Sequence, residues 1–192
     1  YRELLYENRI FSDKQFSRMD DVELISILMN LFIEGITTDT PTSIDKLYAK
    51  YDKNFDEFDE IKCKFDSVMK QVVAIYDYLN GNIRCFSSKV YFYTLFATIL
   101  HQMYGIDNIK IYRSEMFRSD YIELNKDKLI SRIIQFENEY DSCVNQNDED
   151  NDLYAAFLLF AKNHRSRTTN RNERIERIQF FSDYLTGGEN GK

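Results

Sequence analysis

DEFDEIKCKFDSVMKQVVAIYDYLN, residues 56–80, is the stretch that decides the fold class. Phe58, Ile61, Phe65, Val68, Met69, Val72, Ile75, Tyr76 and Leu79 recur at three- and four-residue spacing. Asp59, Glu60, Lys62, Lys64, Lys70 and Gln71 fill the positions between them. That period puts the apolar residues on one side of a helix and leaves one wet face. The spacing predicts a long amphipathic helix, ended by Gly81.

The same period continues outward in both directions. Residues 87–104 open at Ser87 or Ser88 and carry Val90, Phe92, Leu95, Phe96, Ile99, Leu100 and Met103, widened by Tyr91, Tyr93 and Ala97. Residues 20–34 are apolar on most sides from Val22 to Ile33, with Asp20 and Glu23 spaced as a capping box and Gly35 as the stop. Helices of this kind are expected to be central and covered all round. A short helix is expected after Thr42 or Ser43, with Pro41 in the preceding loop. Residues 124–141 direct Leu129, Ile133, Phe136 and Tyr140 inward, and Leu153–Ala161 follows a loop rich in Asn and Asp. The last helix spans Asn170 to Leu185, with Asn170 and Glu173 spaced as cap and N3 and with Ile175, Ile178, Phe181 and Leu185 inward. Ile109–Tyr112 is open between a short strand and a turn of helix.

The sum is an all-α fold: an irregular bundle of about seven helices around two or three apolar central ones. A single helical domain over 1–186 and a frayed tail over 187–192 are expected. One proline and six glycines argue against turn-dense all-β and collagen-like classes. Three cysteines, far apart and without a C-x-x-C pair, fit a reducing compartment better than a disulfide scaffold. A cytoplasmic protein is the expectation, since no apolar run reaches membrane-spanning length. An opening on Tyr1 and a helical pattern over residues 1–8 read as a chain cut from a longer protein.

The search for chemistry nominates no catalytic residue, metal ligand or cofactor. There are two histidines, and His101 sits among Ile99, Leu100 and Met103 as a helix-face residue. No metal-spaced His or Cys pair and no Gly-rich phosphate loop occurs. The formal charge of −7 excludes a uniformly basic surface for nucleic acid but leaves room for a local patch. That patch is residues 162–177, where Lys162, Arg165, Arg167, Arg171, Arg174 and Arg177 face only Glu173 and Glu176, with His164 titratable among them. Ser166-Arg167-Thr168-Thr169-Asn170 leads into a helix N-terminus. Backbone N–H groups, hydroxyls and guanidinium forks together suit phosphate. The candidate contact residues are Lys162, Arg165, Arg167, Thr169, Asn170, Arg171 and Arg174. The alternative is that these arginines pair with acids nearby or keep the last helix wet.

Four stretches carry a family resemblance. They are Phe11-Ser12 with Arg18-Met19-x-Asp21-Val22-Glu23-Leu24, then Leu47-Tyr48-x-x-Tyr51-Asp52, then Phe86 with Phe92-Tyr93-x-Leu95-Phe96, and finally Thr168-Thr169-Asn170-x-x-x-Arg174. In that order they resemble the helical portion of the GmrSD-type proteins, bacterial restriction and phage-defence proteins whose N-terminal part is a ParB/sulfiredoxin-like nuclease domain. The resemblance covers about residues 8–185. The family's Asp-Gly-Gln-Gln-Arg motif is absent from this sequence, and so is a His-Asn-His nuclease. The resemblance therefore implies a helical domain separated from its nuclease-like partner, with no catalytic residue to carry over. Two roles follow as expectations: a DNA-associated module contacting phosphates through 162–177, or a scaffold that supports the nuclease-like domain or forms homo-oligomers. A free-standing enzyme is the least favoured reading.

Overall fold

Nine α-helices and one π-helical turn make up the architecture of the computed structural model, which describes residues 1–79, 85–114 and 126–187. The helices are α1 (Arg2–Glu7), α2 (Asp13–Phe16), α3 (Asp20–Ile33), α4 (Pro41–Tyr51), α5 (Phe58–Leu79), α6 (Lys89–Tyr104), α7 (Lys126–Tyr140), α8 (Tyr154–Arg165) and α9 (Arg171–Thr186). No strand occurs among the described residues. The stop expected at Gly81 and most of the tail lie outside them. Ile109–Tyr112 is neither strand nor helix.

Helix α6 is the axis of the bundle. Between Lys89 and Tyr104 its sequence contains no Asp, Glu, Lys or Arg, and every residue from Tyr91 to Gln102 is buried. It packs against α3, α5 and α9. Ser88 caps it, its side chain accepting from the Tyr91 N–H. Helix α5 buries the stripe from Ile61 to Leu79. Only Phe58 of the predicted apolar set stands exposed. Helix α3 is less covered than expected: Val22 is exposed, and Ile25, Met29 and Phe32 are half-buried against the core.

Phe136 of α7 is the hub of the aromatic core. Its ring meets those of Phe86, Phe157, Phe160, Phe181 and Tyr184 at centroid distances of 4.8–5.9 Å, mostly edge-to-face. Such geometry adds about 0.5–1.5 kcal/mol per pair to what area burial supplies. The abundance of Phe and Tyr is therefore largely spent on packing.

Three local expectations are corrected. Asp20 does not cap α3: the helix starts there, Met19 holds the cap position in a left-handed conformation, and no side chain caps it. The acidic residues of its first turn act on the helix dipole instead. Pro41 lies inside α4, at its first position, where the missing N–H has no bond to lose. Thr40 and Ser43 form the capping box around it. The loop after α7 begins with a π-turn, Asp141–Asn145, rather than leaving the helix at Asp141.

Candidate phosphate-contact site

The basic segment runs through the end of α8, a connector at 166–170 and the first half of α9. The fold separates its cations into two groups. Lys162, Arg165 and Arg167 are exposed. Arg171, Arg174 and Arg177 recur every three residues along the side of α9 that meets α6 and the 36–39 loop, and they turn inward.

The inward group is held by the loop that follows α3. Gly35 takes φ +73°, and any Cβ there would run into the Asn108 side chain. Asn108 Oδ1 accepts the Ile36 N–H, and its Nδ2 donates to the carbonyls of Glu34 and Ile36. The loop thus presents its carbonyls to α9. Arg171 Nε donates to Ile36 O at 3.1 Å and its Nη2 to Asn108 O at 2.6 Å. The Arg171 N–H donates to Thr38 Oγ1, so a hydroxyl 133 residues away caps α9. Asn170 holds the cap position without a side-chain cap bond.

Arg174 is buried and pairs with buried Asp39, Nη1 to Oδ2 at 2.5 Å. The same nitrogen donates to Thr37 O, and the guanidinium lies 4.3 Å from the centroid of the Tyr93 ring. Asp39 is fixed in turn by Thr37 Oγ1 and by its own N–H, which donates to Thr169 O. Arg177 is 1% exposed and bonds no carboxylate among the described residues. It donates to Thr94 Oγ1, Asn163 O and Thr168 O. Burial, with Arg174 as a like charge beside it, pushes its guanidinium down to about 10, so it remains charged at neutral pH.

These contacts divide the candidate set. Arg174 is enclosed by its ion pair and by Tyr93. Arg171 is half-buried and committed to two carbonyls. Thr169 is exposed and Asn170 half-buried, both at the connector. Arg167 has φ +52°, a left-handed conformation that turns the chain from α8 toward α9. Its side chain is 75% exposed, with Glu173 at 3.9 Å, a weak surface pair. The sequence reading missed Asp39, Tyr93 and Lys89. Their signal was slight: a polar Thr-Thr-Asp-Thr run after Gly35, and a tyrosine and a lysine on an otherwise apolar helix.

Between α3, α6 and the connector lies a partly enclosed cavity of about 130 Å³. Lys89, Tyr93, Thr168, Thr169, Arg174 and Arg177 supply its polar lining, Leu24, Ile27 and Val90 its apolar lining.

Elsewhere the chemistry is structural. His101 is buried: its Nδ1 accepts the Ile106 N–H and its Nε2 faces Ile111 O at 3.0 Å. The first bond puts the proton on Nε2, so the ring is neutral and both nitrogens are satisfied. Buried Glu137 accepts the N–H groups of Cys85 and Phe86 and the Cys85 thiol, holding the entry to α6. Burial, with Glu137 beside it, pushes that thiol up. Among the described residues, no group of three or more His, Cys, Asp or Glu side chains is placed to hold a metal, and no helix is long and apolar enough to cross a membrane. Comparison with protein-family models, curated proteins and solved structures gave no significant match.

Proposed function

We propose that this chain is a non-catalytic, DNA-associated helical module, and that it contacts backbone phosphate through Lys162, Arg165 and Arg167 at the α8–α9 turn. The observation that carries this reading is the division of the basic segment. Three cations are consumed inside, and three remain in solvent on one turn and its connector. In a chain of net charge −7, clustered cations are where an anionic partner is attracted. The resemblance of four stretches, Thr168-Thr169-Asn170…Arg174 among them, to the helical portion of GmrSD-type proteins supports reading such a module as the neighbour of a nuclease-like domain in a bacterial defence protein. Contacts of this kind position a duplex without reading its sequence.

The test is fluorescence anisotropy with a short labelled DNA duplex across a salt series. Three phosphate contacts give a slope of log K against log salt of about −2.7. Changing Lys162, Arg165 and Arg167 together to Ala is expected to abolish binding. Binding that is insensitive to salt or unchanged in the triple variant defeats the proposal.

A second reading is favoured by Leu158 and Leu159, which are 39% and 52% exposed on the same helix as Lys162. They fit a scaffold role, in which α8 packs on a neighbouring domain or a second copy. If the chain binds no DNA and light scattering shows a dimer that Leu158→Ser with Leu159→Ser dissociates, the scaffold reading stands instead.

A further inference from the structure

We infer that the cavity behind the connector is a binding site for a single phosphomonoester-type oxyanion, held by Arg174 and Arg177 with Tyr93 and Lys89 completing the shell. It deepens the phosphate-contact reading but stands on different residues from the exposed triad.

Charge is the first argument. Asp39 is the one fully buried carboxylate beside two buried guanidinium groups, and it pairs with Arg174. The other acid acting on Arg177 is half-buried Glu173, which also pairs with Arg167, so the cluster holds an excess positive charge. Lys89 at the rim is paired with Glu23, so it does not change that balance. A buried charge without a counter-ion is costly, and an anion entering the cavity removes that cost. Donor capacity is the second. A guanidinium has five N–H groups. Among the described residues, Arg177 uses three of its five. The third is the Tyr93 hydroxyl. Tyr93 is 3% exposed and lines this cavity, and its hydroxyl, with the Arg174 guanidinium beside it, donates to no acceptor among the described residues. Such a buried hydroxyl in a cavity walled by arginines is a donor awaiting an acceptor. Size is the fourth: about 130 Å³ holds several waters, hence one tetrahedral oxyanion. An internal phosphodiester would have to bring two sugars with it, so a terminal phosphate or a free one fits better.

The test uses inorganic phosphate, then 5′-phosphorylated and 5′-hydroxyl single-stranded oligonucleotides. Phosphate at ten times its Kd is expected to raise Tm by about 3–5 °C over chloride of equal ionic strength. Tyr93→Phe removes only the hydroxyl and keeps the ring under Arg174, so it is expected to preserve the fold and to weaken phosphate binding at least fivefold. Lys89→Ala is the second variant, with a smaller loss. A tenfold preference for the 5′-phosphorylated strand identifies a nucleic-acid end as the source; phosphate binding without that preference identifies a free phosphate or small phosphomonoester. No phosphate-specific shift, or the same shift in both variants, overturns the inference. The Lys162, Arg165 and Arg167 triple variant keeps the phosphate shift while losing duplex binding, so the two proposals fail separately.

Discussion

Within sixteen residues, six cations meet opposite fates. Lys162, Arg165 and Arg167 end in water, whereas Arg171, Arg174 and Arg177 end against carbonyls, a carboxylate and an aromatic ring. The difference is one of helix phase. Residues 171, 174 and 177 lie three apart on the face of α9 that also carries Ile178, Phe181 and Leu185. That face must be covered, so Arg174 and Arg177 are buried with it and Arg171 half-buried, and the chain supplies Asp39 and a set of carbonyls to receive them. Arginine tolerates this because its planar fork distributes charge over several acceptors. The outer cations sit where α8 ends and the chain turns, and no packing demand reaches them.

The comparison breaks most severely at the Asp39–Arg174 pair. Arg174→Ala leaves a buried carboxylate alone, and Asp39→Asn leaves a buried guanidinium in excess. Either is expected to cost about 3–5 kcal/mol in urea unfolding. The double variant Asp39→Ala with Arg174→Ala is expected to cost less than the two single changes added together, because neither charge is then stranded. Additive losses would mean that the two residues act separately.

Gly35→Ala tests the loop that receives the inner arginines. It imposes a left-handed conformation on a residue with a Cβ and pushes that Cβ onto Asn108, whose side chain is fixed by three hydrogen bonds. A loss of about 1–2 kcal/mol is expected, read by urea unfolding. Gly35→Asn, a residue that accepts this conformation more readily, is expected to lose less if backbone strain outweighs the clash.

The all-α class and the inward faces of α5, α6 and α7 were legible in the sequence because they follow from local period alone. The inward residues Leu129, Ile133, Phe136 and Tyr140 are all buried. The caps were less legible. Asp20 and Asn170 have the right chemistry and spacing, yet Met19 occupies one cap position and Thr38 reaches the other helix from another segment. A capping motif is a local pattern, whereas the competing partner is tertiary. The candidate site was legible as a run of charge but not as a division of charge. Nothing within 162–177 announces that Asp39, 135 residues from Arg174, closes over it. Tyr93 was read as a packing residue, which its ring is; its hydroxyl acquires meaning only beside Arg174.

His101 sharpens the contrast, since it is a buried base that can shed its proton where arginine cannot. Burial holds its pKa below the usual imidazole range, with Arg113 a smaller influence in the same direction and the bond to Ile111 O opposing both. The folded state therefore prefers the neutral ring. The contribution is present above the unfolded pKa, about 6.5, and is lost as pH falls through the lower folded value. Protonated Nδ1 would then point a hydrogen at the Ile106 N–H. Stability measured between pH 7 and pH 5 is expected to fall with a slope of at most about 1.4 kcal/mol per pH unit from this residue. His101→Gln is expected to flatten that part of the profile. An unchanged profile would assign the acid limb to carboxylates.

The smallest effect on stability belongs to the outer cations, and that smallness makes them useful. Lys162→Ala, Arg165→Ala and Arg167→Ala are each expected to shift stability by no more than about 0.5 kcal/mol, because surface positions without fixed partners contribute little. Arg167 is the informative member. Its left-handed backbone disfavours arginine and alanine alike, so Arg167→Ala removes the charge at unchanged strain, whereas Arg167→Gly or Arg167→Asn removes the charge and suits the conformation. If Arg167→Gly matches wild type in unfolding but lowers duplex affinity as much as Arg165→Ala does, the residue serves contact and not the turn. If Arg167→Gly binds like wild type, the turn itself is what the position supplies, and the phosphate contact rests on α8 alone.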